Sequence, residues 1–406
     1  MNKLNNIIFS LFITFSTFNL YSVELISTLG RYGKTVIILY IIIYFIWKIL
    51  HNNLTIIINK YIILIFILSI SFFIGAFSNY IDTNRDNYFI SAVIFSIYLI
   101  YFYSYIDTLL YFYEDNAENE FFILLKKVIY LNFIIGFFLA FLFSVDMMIF
   151  KKGSYYFGGF FSDGLFFAWY SLVAFFITVF SNDSMKKNKL LLLLFLVFIF
   201  TSGGRGAEMT IIIYFLVYSF ILFISYFHNR YILLISKILI LPFLLFIIYI
   251  FIYTLDSESM NSITTGRWFI WALAIKEIIE HNIYYFGWGL EGLEDFILEK
   301  YHNQSYYFMH LYSNKGTLYL HSSYLAVLAS GGILSLLSFL WLNYQAIKDG
   351  NHMIKAFFIS LLFAGLIEQF HLSANIPIST LFWLLIFLAA LKTTRTDVLE
   401  NQGMLK

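Results

Sequence analysis

Long unbroken apolar runs, separated by short polar segments, make up most of the chain. The runs of about 17 to 25 residues are long enough to cross about 30 Å of hydrocarbon as α-helices. The strands of a membrane barrel would instead alternate apolar and polar residues over short segments, so the pattern favours helices. It predicts about twelve spans, over residues 5–23, 34–50, 61–79, 88–106, 128–146, 164–180, 189–201, 208–227, 231–254, 321–343, 353–372 and 377–391.

The composition is also that of a membrane protein. Hydrophobic residues make up 61% of the chain and charged residues only 12%, whereas about one quarter of an ordinary soluble domain is charged. We therefore expect residues 1–406 to form one all-α polytopic membrane domain. The first run lacks a small-residue cleavage site and is followed by further spans, so we interpret it as a retained helix. A net charge of +1 gives no reason to expect nucleic acid as a partner, and the absence of cysteine excludes disulfides and thiolate chemistry.

Lysine and arginine are distributed unevenly between the two sides that alternate along the predicted spans. With the N-terminus placed inside, fifteen of these residues fall on inner segments and six on short outer segments. This asymmetry predicts that both termini are cytoplasmic. The six outer residues are Arg31, Lys34, Arg85, Lys151, Lys152 and Arg205.

The long segment 255–320 is then a large outer loop, and it carries eight acidic and four basic residues. Its first part, TTGRWFIWALAIKEIIEH, predicts an amphipathic helix lying at the membrane surface. The predicted apolar face contains Trp268, Trp271, Ala272, Ile275, Ile278 and Ile279. The predicted polar face contains Lys276, Glu277 and Glu280, and the glycine-rich stretch YFGWGLEG ends the helix.

Two arginines stand at predicted helix starts on the outer side. Arg205 lies in the turn SGGRGA, and Arg267 begins the amphipathic helix. Free backbone N–H groups at a helix N-terminus bind phosphate, and a guanidinium adds bidentate recognition of phosphate oxygens. The glycines beside Arg205, Gly204 and Gly206, would let a ligand approach the backbone closely. Both arginines could instead be interfacial anchors, or could pair with an acid such as Glu208.

Two further side chains could take part in chemistry. His321, at the outer mouth of the next span, could accept a proton near neutral pH, or could simply cap the helix; His302 and His310 compete for any such role. Glu368 lies about one turn from the outer end of its span and could pair with one of the arginines, or could reach water. The chain has neither an H-E-x-x-H motif nor a D-x-D cluster, which favours chemistry that needs no metal.

These motifs together resemble the O-antigen polymerase and ligase superfamily over roughly residues 200–345. The family has an arginine in a Gly/Ser turn, then a block of Arg, Trp, G-x-G, a variable loop, His and YL before a glycine-rich apolar stretch. That block aligns here with Arg267, Trp271, Gly287, Gly289, His321, Tyr324, Leu325, Gly331 and Gly332. Three features depart from it: Gly204 precedes the turn arginine where the family has serine, the stretch HNIYYFGWG lacks the proline that the family often has before G-x-G, and Ser322 follows His321 where the family often has asparagine.

The resemblance implies a GT-C-like glycosyltransferase of the bacterial inner membrane, with its active site on the periplasmic side. Its donor would be an oligosaccharide on undecaprenyl pyrophosphate, and no cofactor or metal would be needed. Arg205 and Arg267 would stabilise the pyrophosphate leaving group, and His321 would act on the acceptor hydroxyl. The residues assigned to substrate binding are Gly204, Gly206, Trp271, Gly287, Gly289, Tyr324 and Glu368. Besides the lipid bilayer, a chain-length regulator and a flippase are expected partners.

Three functions stay open at this point. Polymerisation of lipid-linked repeat units is favoured, because the first half of the chain matches the family only in span number and hydropathy, as is typical of sequence-divergent polymerases. Ligation of the finished polymer to lipid A-core is the alternative, and it uses the same three residues. A flippase or other transporter is a further alternative, although the internal repeats and central charged cavity that it would favour are not evident.

Overall fold

The computed structural model describes residues 2–50, 60–83, 87–113, 117–151, 154–181, 185–227, 267–301, 318–369, 371–372 and 377–401. The predicted span 231–254, the histidines His302 and His310, and much of the loop 255–320 lie outside these residues.

Helices form nearly all of the described chain. They are α1 (Asn2–Phe18), α2 (Glu24–Leu50), α3 (Lys60–Thr83), α4 (Asn87–Tyr113), α5 (Ala117–Leu142), α6 (Gly164–Phe180), α7 (Met185–Thr201), α8 (Arg205–Phe227), α9 (Arg267–Glu280), α10 (Ile283–Phe286), α11 (Gly292–Tyr301), α12 (Ser323–Asp349), α13 (His352–Ile367) and α14 (Pro377–Asn401). An antiparallel hairpin of β1 (Met148–Lys151) and β2 (Ser154–Phe157) follows α5. The all-α class is therefore supported, with this hairpin as a small addition that the apolar pattern did not predict.

Five of the described helices are long and apolar enough to cross a membrane. These stretches are Lys60–Ile81, Tyr88–Asp107, Ala117–Leu142, Arg205–Tyr226 and Ser323–Asp349. Shorter apolar helices lie at further predicted positions, such as Gly164–Phe180 and His352–Ile367. The expected number of twelve spans and the GT-C-like fold stay predictions.

Helices α6 and α14 lie at the centre of the helical assembly. Almost every residue of α6 is buried, as are Ile378–Leu388 of α14, so both are enclosed by protein on all sides. Other helices expose apolar side chains, for example Phe141 of α5 and Leu216 of α8. A chain that exposes such residues on its outer helices while enclosing two apolar helices suits a lipid environment.

A kink in α12 is locked to the glycine-rich turn that precedes α11. The kink lies at Gly331 and Gly332, whose φ angles are −139° and 71°. The two carbonyls before Gly331 accept hydrogen bonds of 2.7 and 2.9 Å from the amides of Trp288 and Gly289. A Cβ on Gly287 would lie 2.4 Å from the amide nitrogen of Gly331, so the turn and the kink fit only without side chains.

The buried face of α9 differs from the one predicted. Glu277 was expected on the polar face but is fully buried, whereas Ile275 and Ile279, expected on the apolar face, are 47% and 62% exposed. The reason is α11, which packs on that face and supplies hydrogen bonds to Glu277 from Lys300 and Tyr301. Burial favours a higher pKa for the Glu277 carboxyl, but those two hydrogen bonds outweigh it and leave the pKa lowered. The apolar/polar pattern could not anticipate a buried, fully paired acid.

Candidate functional site

A cavity of about 660 Å³ opens between the ends of several helices. Its volume lies within the range of about 300–1,000 Å³ typical of ligand pockets. Its wall is formed by the end of α1, the first turns of α2, parts of α4 and α6, and the segments that flank α11, α12 and α13. The acidic, basic and histidine side chains on the wall are Arg31, Lys34, Glu291, His321 and Glu368.

Glu368 connects two of the predicted site residues. Its Oε1 accepts a 2.8 Å hydrogen bond from Nη2 of Arg267, and its Oε2 lies 3.9 Å from Nδ1 of His321. Nη1 of Arg267 also donates to the carbonyl of Ile367, so two nitrogens of the guanidinium form hydrogen bonds with the end of α13. The Glu368 side chain is 7% exposed and that of Arg267 is 20% exposed. The predicted pairing of Glu368 with an arginine is present, and the partner is Arg267.

The turn that carries Arg205 packs against the same carboxylate. Gly203 adopts a φ of 69°, and α8 begins at Arg205, whose side chain is exposed. A Cβ on Gly206 would lie 2.5 Å from Cγ of Glu368, and a Cβ on Gly204 would lie 2.3 Å from Cβ of Ala168 in α6. These two glycines let the first turn of α8 approach α6 and Glu368 closely. The structure therefore brings the start of α8, Arg267 and His321 to one carboxylate.

His321 is held in an unusual backbone conformation on the cavity wall. Its φ is 53°, in the left-handed region that residues with side chains seldom adopt. Leu320, just before it, is fixed from both sides: its carbonyl accepts a 2.8 Å hydrogen bond from Nε1 of Trp271, and its amide donates a 3.0 Å bond to Oε1 of Gln369. Residues held in sparsely populated conformations by such contacts are typical of functional sites.

The two serines after His321 fix the start of α12. Ser322 is the N-cap of α12, and its side chain accepts a hydrogen bond from the amide of Leu325. Oγ of Ser323 donates a 2.8 Å bond to the backbone carbonyl of Glu368. The serines thus begin the helix and tie its first residue to the residue that pairs with Arg267.

The remaining predicted site residues do not line the cavity but contact the segments that form its wall. Gly287 and Gly289 pack on the kink of α12, while Glu291, two residues further along, lines the cavity. The hydroxyl of Tyr324 donates to the carbonyl of Leu362 and joins α12 to α13. Trp271 acts on the backbone before His321, as described above. Among the described residues, no group of three histidine or acidic side chains is placed to hold a metal ion.

The sequence did not assign Arg31, Lys34, Glu291 or Gln369 to this site, although all four line the cavity. A signal for the first two was available, because both are basic residues on the outer side, against the prevailing inward bias. Glu291 and Gln369 carried no comparable signal. Their positions depend on the glycine-rich turn and on the bend after α13, which apolar periodicity does not reveal.

Comparison with known families gives a match to the middle of the chain. A family model described as O-antigen ligase matches residues 190–340, which confirms the resemblance over that stretch. The matched residues include Arg205, Arg267 and His321 and end before Glu368. A search of curated proteins found no match.

Proposed function

From residues 190–340, which carry the O-antigen ligase family region, we propose that this membrane protein is an O-antigen polymerase. The family supports a glycosyltransferase-like activity of the polymerase or ligase type. The finer proposal is that the enzyme joins repeat units carried on undecaprenyl pyrophosphate, at the periplasmic face of the inner membrane.

The observation that supports this proposal most is the meeting of Arg267 and His321 at Glu368 on the cavity wall. In the proposed reaction the acceptor hydroxyl attacks the anomeric carbon of the donor glycan. The bond between that carbon and the pyrophosphate oxygen breaks, and lipid pyrophosphate leaves with the bonding electrons. Arg205 and Arg267 lower the cost of the negative charge on the leaving group.

His321 takes the proton of the attacking hydroxyl. Its Nδ1 lies 3.9 Å from Oε2 of Glu368, so Nε2 is the nitrogen that meets the acceptor. A carboxylate beside one ring nitrogen stabilises the imidazolium that forms. Glu368 is thus a positioning residue. It holds Arg267, which binds the donor pyrophosphate, and it lies beside His321, which takes the proton of the acceptor. Arg267 uses two of its nitrogens on α13, and its remaining N–H groups serve the pyrophosphate.

Ligation of polymer to lipid A-core is the second candidate, because the matched family model is described as O-antigen ligase. The leaving group and the three residues would be the same, and only the acceptor would differ. The phenotype of a deletion separates the two functions. Loss of a polymerase leaves single repeat units on the core, whereas loss of a ligase leaves bare core and polymer on the lipid carrier.

The direct test uses the purified protein in nanodiscs with a synthetic undecaprenyl-pyrophosphate-linked repeat unit. We expect elongation without ATP and in the presence of a chelator. The variants Arg205→Ala, Arg267→Ala and His321→Ala should each lower turnover about 10²-fold, the usual effect of removing a group that stabilises developing charge. Lysine at either arginine should rescue only in part, because the planar fork is lost.

Lys276→Ala is the matched control, since Lys276 is an exposed cation on α9 that pairs only loosely with Glu280 at 3.8 Å. Full turnover in all three site variants, with expression equal to that of the control, would refute the mechanism. Transport of the lipid-linked unit without elongation would instead assign the protein to the flippases.

A further inference from the structure

Lys34 is a buried cation on the wall of the cavity. The residue is 8% exposed, and its Nζ lies 5.2 Å from the centre of the Tyr98 ring. Within the described part of the chain, no carboxylate forms an ion pair with it. Removing an ammonium from water without a carboxylate partner is costly, and one aromatic face offsets only part of that cost.

Arg31 lies one turn before Lys34 on the same face of α2 and lines the same cavity, where its side chain is exposed. Two glycines beside these cations let this part of α2 lie close to α1. A Cβ on Gly30 would lie 2.3 Å from the amide nitrogen of Asn19, and a Cβ on Gly33 would lie 2.6 Å from the Phe15 ring. The first turns of α2 therefore pack tightly on α1, and this packing brings two cations to the cavity wall, where neither forms an ion pair with an acid of the described residues.

The acidic residues of the cavity do not neutralise this pair. Glu368 is already paired with Arg267, 2.8 Å away. Glu291 lines the cavity from a left-handed backbone position with a φ of 70°, and within the described residues it forms no ion pair with Arg31 or Lys34. Burial raises the pKa of its carboxyl. A cavity with two uncompensated cations at one part of its wall suits an anion that arrives with a ligand.

We propose that Arg31 and Lys34 form a phosphate-binding subsite for the pyrophosphate of a lipid-linked glycan, separate from the Arg205 and Arg267 pair. The proposal rests on the proposed function for the identity of the ligand. A polymerase handles two lipid pyrophosphates at once, one on the growing chain and one on the incoming unit. The subsite holds either a second lipid pyrophosphate or further oxygens of the same one, and the stoichiometry of binding separates these two cases.

The test measures binding of undecaprenyl pyrophosphate to the full-length protein in nanodiscs by native mass spectrometry and titration. Lys34→Met keeps the length of the side chain and removes the charge, Arg31→Gln changes an exposed residue, and Lys276→Gln is the control. We expect at least a tenfold loss of affinity in Lys34→Met and in Arg31→Gln, no change in the control, and partial rescue by Lys34→Arg. The apparent melting temperature of Lys34→Met should equal or exceed that of the wild type, because an unpaired buried charge has been removed.

If the wild type binds two equivalents and the α2 variants bind one, the subsite serves a second substrate. If it binds one equivalent and all of the α2, Arg205 and Arg267 variants weaken it, the subsite serves the same pyrophosphate. Unchanged affinity and stoichiometry in Lys34→Met and Arg31→Gln would overturn the inference. Dependence of binding on Arg31 and Lys34 in a protein that fails to elongate the glycan would refute the polymerase proposal and leave the subsite standing.

Discussion

Arg267 and Glu368, 101 residues apart in sequence, form a half-buried ion pair with a 2.8 Å hydrogen bond. Arg267 is the first residue of α9, and Glu368 is the C-cap of α13. The pair therefore joins the start of α9 to the end of α13. It also sets the position of the carboxylate that faces His321.

Breaking this pair should cost stability as well as activity. Arg267→Ala leaves a carboxylate that is 7% exposed without its partner, and we expect it to lower the free energy of unfolding by about 3 kcal/mol. Replacing both residues, as in Arg267→Ala with Glu368→Ala, should cost less than the sum of the single changes, with a coupling of about 2 kcal/mol. Thermal unfolding in detergent, followed by tryptophan fluorescence, measures the cycle. If the two single changes in the free energy of unfolding added up to the double change, the ion pair would make no net contribution to stability.

Trp271 should influence the rate through His321 without touching the substrate. Trp271→Phe keeps the aromatic bulk and removes the hydrogen bond to the carbonyl of Leu320. Without this hydrogen bond His321 is held less firmly, and we expect a loss of about 1.4 kcal/mol of transition-state stabilisation. A loss of that size lowers kcat about tenfold. KM for the donor should change less, since the arginines are untouched. Trp341→Phe is the control, at a residue that is 52% exposed on α12. An equal fall of kcat in both variants would contradict the role of Trp271 in positioning His321.

The kink of α12 should tolerate no side chain at Gly332. A Cβ there would lie 2.4 Å from the carbonyl oxygen of Tyr285, and the φ of 71° disfavours any residue with a side chain. Gly332→Ala should lower the apparent melting temperature by several degrees and reduce the yield of folded protein. Gly365→Ala is the matched comparison, because the nearest contact of its Cβ would be 3.1 Å and it lies inside α13. Equal stability of the two variants would show that the turn and the kink are not locked together.

Glu294 should make the stability of the protein depend on pH. It is 3% exposed and accepts a 3.2 Å hydrogen bond from Nε2 of Gln369, and burial raises the pKa of its carboxyl from 4.5 to about 7. The folded protein then binds a proton that the unfolded chain releases between pH 4.5 and 7, so the free energy of unfolding falls as pH rises through that window.

The variant Glu294→Gln removes this dependence. At pH 8 it should be more stable than the wild type by on the order of 3 kcal/mol, and at pH 4 the two should be equal. Melting curves at both pH values measure the difference, with Glu280→Gln, an exposed carboxylate of α9, as the control. A constant difference between Glu294→Gln and wild type at all pH values would contradict the raised pKa.

The helices could be predicted because a membrane span needs only length and continuous apolarity. Helix α6 begins and ends at the predicted residues, 164 and 180. Arg205, Arg267 and His321 could be singled out too, because an arginine or histidine near a predicted helix start on the outer side is conspicuous in such a chain, and their roles stay predictions. Their meeting point was harder to predict. Glu368 was singled out as a partner for an arginine, but its contact with Gly206 depends on how α8 and α13 pack.

Other features depend on tertiary contacts that periodicity does not encode. Glu277 was assigned to the polar face of α9 because charged residues usually face water, and only the packing of α11 supplies its partners. Lys34 was counted as an outer charge without a role, since nothing local shows that α2 packs on α1. The predicted orientation, the number of spans and the roles of the site residues stay predictions.

The charged cavity is assembled from parts that are synthesised at very different times. Arg31 and Lys34 lie in α2, whereas Glu368 is the C-cap of α13. During synthesis Arg267 must therefore wait for its carboxylate partner until residue 368 has been added. A chain truncated before residue 368 carries all three basic residues of the proposed reaction and still lacks the group that holds Arg267, so prematurely terminated products should be inert.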